Sequence, residues 1–109
     1  MKGLAMTRAA SGLIRALLAR VDRDRDRILL ITISSIDWQS LTFAGERHVL
    51  TLRISGAASK MIAEQLLAGL AEAEFALPDH IVADIAARPI RIEENGSVLV
   101  TIEALTICG

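Results

Sequence analysis

Ala10, Ile14, Leu17, Leu18 and Val21 recur at helical spacing while Arg8, Arg15 and Asp22 occupy the remaining arc. The pattern predicts an amphipathic helix over about 4–21. Gly12 falls inside it, at a cost of about 1 kcal/mol relative to alanine unless close packing needs the small residue. "DRDRDR" (22–27) alternates sign with no apolar residue and reads as a solvated helix end and connection. "ILLITISSI" (28–36) is β-branched and at first apolar on both faces, as a strand covered on both sides would be. "WQSLTF" and "RHVLTLRI" follow, separated by Ala44-Gly45-Glu46. A turn with glycine first predicts a hairpin pairing Phe43 with His48, Leu41 with Leu50 and Gln39 with Leu52.

Ser55 can cap a second helix over about 57–74, with Met61, Ile62, Leu66, Gly69, Leu70 and Ala73 on its buried stripe. Pro78 prevents its continuation. The last third predicts a long hairpin, 80–94 with 97–107, turning at Asn95-Gly96. Apolar positions in its first strand are odd from 81 to 87 and even at 90 and 92. Strand alternation has period two, so one extra residue is needed near Arg88-Pro89. The predicted class is α+β: two layers in the order α-β-β-β-α-β-β, a five-stranded antiparallel sheet with two helices packed on one face. The order is similar in topology alone, without a shared motif or a final helix, to small dimeric bacterial secretion chaperones.

Composition adds a constraint. The 109 residues are expected to form a single domain, 1–109, with 52% hydrophobic residues, a mean hydropathy of +0.45 and 3% aromatics. Aliphatic side chains dominate, more than one small core readily hides, which points to a homodimer or higher homo-oligomer. Net charge of −1 lacks the basic footprint of a nucleic-acid binder. Residues 1–27 carry seven Lys/Arg and three Asp, and residues 28–109 carry five Lys/Arg and ten Asp/Glu. The basic first helix is therefore expected to lie against an acidic remainder. Cys108 has no cysteine to pair with, and no apolar run is long enough to span a membrane. Arg8 and Arg15 interrupt any leader-like apolar segment. The expected location is cytoplasmic.

Two helices cover one sheet face. The pattern leaves Val49, Val82, Val98, Val100 and Ile102 on the other, with Trp38 near one end. Burial in a homodimer is the simplest outcome for such a set, at about 1.5–3 kcal/mol per fully buried side chain. His48 is expected to face inward as a packed, hydrogen-bonded residue rather than a catalyst. Trp38, Arg53, His80 and Asp84 are the candidate ligand-binding residues, with Arg53 suited to a carboxylate or phosphate. His80 and Asp84 are expected on one face about 13 Å apart, too far for a shared metal ion. No phosphate loop, nucleophile elbow or cofactor motif is present in the sequence. The reading that results is a small non-catalytic homo-oligomeric module for protein interaction or assembly. A small-ligand or sensor domain on the outer sheet face is the alternative, and a small acid-base enzyme using His80 or Asp84 stands behind both.

Overall fold

A computed structural model describes residues 6–108. The first helix, α1, spans Arg8–Ala19; positions 4 and 5 of the expected helix lie outside the described residues. Thr7 caps it, its hydroxyl accepting the Ala10 N–H at 3.1 Å and so satisfying one amide left free in the first turn. Ala9, Ala10, Leu13 and Leu17 are buried, and Val21 continues their side. Gly12 is buried against Leu77, which a Cβ would meet at 3.4 Å. Asp22–Arg27 form a largely exposed 3₁₀ turn held by Arg25–Asp22 and Arg27–Asp24 pairs, as a solvated connection should be.

Strand β1 runs Ile28–Gln39 and β2 runs Ala44–Ile54. The strand expected over 28–36 does not end at Ile36, because Asp37 and Trp38 continue the ladder opposite Glu46 and Gly45. The chain turns instead at 40–43. There the Ser40 hydroxyl accepts the Phe43 N–H at 3.0 Å and the Ser40 N–H donates to the Phe43 carbonyl at 2.8 Å. A serine making its own local bonds competes well with a glycine turn. The expected pairs of His48, Leu50 and Leu52 are thereby replaced by Ser35, Ile33 and Leu30. Leu41 and Phe43, expected inside, are exposed at the tip. Gly45 serves the sheet rather than the turn: any Cβ there would run into the Thr106 carbonyl of the neighbouring strand.

Helix α2 is Ser59–Leu67, shorter than expected. Ala58 precedes it in the left-handed region (φ 62°), so Ser55 is not its cap, and Gly69 (φ 59°) separates it from a 3₁₀ turn at Leu70–Glu72. Ile62, Ala63 and Leu66 are buried, whereas Met61 lies off their stripe and is exposed. The Ser59 hydroxyl donates to the Gly96 carbonyl at 2.7 Å, tying the helix to the last turn.

The remaining strands are β3 (His80–Ala87), β4 (Arg91–Ile92) and β5 (Val98–Cys108). Asn95-Gly96 makes the expected turn, with Gly96 at φ 88° and its N–H donating to the Glu93 carbonyl at 2.9 Å. Register against β5 shifts by one residue between Ala87 and Arg91, as the apolar phase required, and also between Val82 and Asp84. All pairings are antiparallel and the path is β1-β2-β5-β3, with β4 also on β5.

The fold is therefore α+β, with five antiparallel strands in one sheet and both helices on one face. Leu13 and Leu17 from α1 and Ile62 and Leu66 from α2 pack with Leu50, Leu52, Ile54, Val98, Val100 and Ile102. This corrects the expected division of the faces. Leu50, Leu52 and Ile54 stand opposite Ile102, Val100 and Val98, so both sets point under the helices. Val98, Val100 and Ile102 are roofed by the chain's own helices, and Val82 packs partly against the same core. Of the five aliphatics expected on the second face, Val49 alone is there. Among the described residues, no helix is long and apolar enough to cross a membrane.

Candidate functional site

Two regions hold polar chemistry beside apolar surface: the end of the sheet near the N-terminus of α1, and the helix-free face. At the first, β2 carries His48 inward, where it is buried. The Ser35 hydroxyl is 2.8 Å from Nδ1 and the Thr106 hydroxyl 2.8 Å from Nε2. A neutral imidazole has one donor and one acceptor, and a hydroxyl can serve either, so the ring is fully satisfied without a charge. Burial pushes the His48 pKa below its ordinary 6.5; Glu46, 3.8 Å from Nε2, pulls the other way, and the His80 charge lowers it further. Glu46 instead accepts the Thr7 hydroxyl at 2.6 Å, fastening the start of α1 to β2. Ser35 and His48 thus form a structural bridge between strands: the serine sits on Nδ1, where a triad has its carboxylate, and the other nitrogen, Nε2, is taken by Thr106. His48 is inward and hydrogen-bonded, as its residue type and position suggested.

Beyond this bridge the sheet end opens into a basin of about 510 Å³ lined by Asp37, Trp38, Gln39, Glu46, His80 and Cys108. Two candidates, Trp38 and His80, meet here. His80 is bonded through Nδ1 to the Pro78 carbonyl at 3.0 Å. The other two candidates are elsewhere. Arg53 lies eight residues along β2 from Gly45, the partner of Trp38, or about 26 Å at roughly 3.3 Å per residue. Its guanidinium is already forked onto Glu93, at 3.0 and 3.5 Å. Asp84 is paired with Leu105 on the helix-free face, in a hollow of about 110 Å³ shared with Arg47 and Glu103. The extra residue at Ala83 separates it from His80. His80 pairs with Cys108 and Val82 with Thr106, whose side chains point to the helix side, whereas Asp84 falls opposite outward-facing Leu105. Simple alternation places His80 and Asp84 together; the bulge turns them to opposite faces.

Sequence reasoning missed Glu46 and Cys108 as basin residues and Ser35 and Thr106 as the partners of His48. Each contact depends on which residues of β1, β2 and β5 stand side by side, and no local signal encodes that. Among the described residues, no group of three or more His, Cys, Asp or Glu is placed to hold a metal ion.

The helix-free face has a different character. Leu29, Ile36 and Ile81 are 58%, 65% and 59% exposed. Val49, Leu99, Leu105 and Ile107 between them are half-buried by their neighbours alone. Charges sit among them as pairs, Arg88 with Glu103 and Arg53 with Glu93.

No family model matches the chain, and no curated protein matches it. It is similar to a chain of a solved structure, "Virion of native gene transfer agent (GTA) particle", with a TM-score of 0.58 and 14% identity, covering 92% of this chain and 97% of that one. At that identity the likeness is one of fold: nearly the whole of both chains follows the same path of helices and strands.

Proposed function

We propose that this protein is a small non-catalytic, homo-oligomeric assembly module whose helix-free sheet face is covered by protein in its working state. The observation that carries the reading is the one-sided packing of the sheet. Seven aliphatic side chains, from Leu29 to Ile107, line a face that no helix covers among the described residues. Covering such a face removes apolar area worth about 25 cal/mol per Å² from water. The fold-level likeness to a chain of a virion particle supports assembly as the context. In this reading the chain works as one domain, in the cytoplasm, on protein rather than nucleic acid, and net charge of −1 favours that choice of partner.

The test is a double charge substitution, Ile81→Lys with Leu105→Lys, followed by light scattering. The unmodified chain is expected to exceed the mass of one chain and the variant to have a smaller mass than the unmodified protein, with circular dichroism unchanged. Equal masses for the two would show that this face takes no part in self-association.

A second reading, small-ligand binding, is favoured by one observation, the basin that brings Trp38 and His80 together. It retains those two of the four candidates. Arg53 and Asp84 lie outside that basin.

A further inference from the structure

The two edges of the sheet are not equivalent. Along the β3/β4 side the ladder is broken by the extra residue at Ala83 and again between Ala87 and Arg91. Pro89 in that gap has no N–H, and Arg88 and Arg91 flank it. Bulges, proline and charge are the means by which proteins stop an edge from pairing with another chain. β1 has one bulge, at Ile31, and nothing comparable after it. From Thr32 to Gln39 its ladder with β2 is regular, without proline or lysine, and Asp37 is the single charged side chain. Among the described residues no other backbone bonds to the outer side of this strand. The Ser40 N–H points to β2, reaching the Phe43 carbonyl at 2.8 Å. Antiparallel alternation from that bond turns the N–H and C=O of Ile33, Ser35, Asp37 and Gln39 outward.

We infer that this edge pairs with the same edge of a second copy, antiparallel, across a two-fold axis at Ser35. The inference rests on the self-association proposed above and adds to the covered face a second contact, at the sheet edge. A copy of the chain offers two edges, and its β3/β4 edge is blocked, so β1 meets β1. That pairing is self-complementary and closes as a dimer instead of continuing as a filament. With Ser35 on the axis, Ile33 stands opposite the copy's Asp37 and Ser34 opposite its Ile36. The two Asp37 carboxylates are then four residues apart along the seam, about 13 Å at roughly 3.3 Å per residue, so no like charges face each other. The five strands of each copy join into one continuous sheet. All four helices lie on one side, and the two helix-free faces form a single broad surface on the other.

Asp37→Pro tests the seam, because it removes an outward N–H and leaves the bonds to β2 in place. The expected result is a dimer affinity weakened by about tenfold or more, from the loss of symmetry-related backbone bonds, while Ile81→Lys still gives a two-chain particle. Amide exchange on the unmodified chain is the companion measurement, independent of whether the proline variant folds. The amides of Ile33, Ser35, Asp37 and Gln39 should slow as protein concentration rises, whereas Ser34 and Ile36, already bonded to β2, should not respond. An oligomer whose mass survives Asp37→Pro, or whose four outward amides ignore concentration, overturns the seam and leaves self-association standing. An unmodified chain that stays single at every concentration overturns both.

Discussion

Leu50 and Val49 are consecutive residues of β2, and their partners Ile102 and Glu103 are consecutive on β5, yet the two sides of these strands live in different surroundings. On one side Leu50 and Ile102 are fully buried beneath α1 and α2. On the other, Val49 and Leu105 are half-covered by adjacent side chains and nothing more. The chain has completed its own packing on the first side and not on the second. The helix side has Leu13, Leu17, Ile62 and Leu66 filling the spaces between strands, and even its polar insert, His48, is satisfied by two hydroxyls. The helix-free side carries exposed Leu29, Ile36 and Ile81 among paired charges, and it is on this side that the proposed self-association rests.

The contrast can be broken by substitution. The largest effect is expected from Leu50→Ala, which opens a cavity in a fully packed site and should cost about 2–5 kcal/mol in a urea melt. Val49→Ala, next to it, should cost well under half as much; equal losses would mean that the two faces are packed alike. Gly45→Ala comes next. Its Cβ meets the Thr106 carbonyl, so β2 and β5 must part locally, at about 1–3 kcal/mol by the same measurement.

His48→Leu sharpens the comparison through pH. It strands the Ser35 and Thr106 hydroxyls, at about 1–3 kcal/mol if neither finds water. In the unmodified protein burial holds the His48 pKa below 6.5. The unfolded chain therefore binds a proton that the folded chain resists, and stability falls as pH drops below 6.5 toward the folded value. Melts across that window should show this slope in the native chain and lose the His48 share of it in the variant. The smallest effect belongs to the helix-free face. Ile81→Lys should change the stability of the isolated fold by no more than about 0.5 kcal/mol.

Local signals in the sequence carried the elements well where the residues concerned act on their immediate neighbours. Asn95-Gly96 makes its turn, Thr32–Ile36 belongs to a strand, and Ala10, Leu17 and Val21 share the buried side of one helix region. The phase change at Ile90 and Ile92 also pointed to the shift that occurs after Ala87. What failed was long-range pairing. Whether Leu50 faces the same side as Ile102 or as Leu105 depends on the register between two strands more than forty residues apart, and alternation in each strand is blind to it. The error moved Val98, Val100 and Ile102 from the core to the surface. The bulge at Ala83 had no signal either, since alanine fits both phases, and it divided His80 from Asp84. The candidate site suffered most for that reason: Trp38 and His80 meet, while Arg53 is held by Glu93 at the far end.

In the proposed function a chain with a finished core still has an unfinished surface and completes it with protein. Sedimentation equilibrium of the unmodified chain over a wide concentration range tests this directly. The expected weight-average mass starts near 11.7 kDa when dilute and climbs to at least twice that value. A mass fixed at one chain throughout would contradict it.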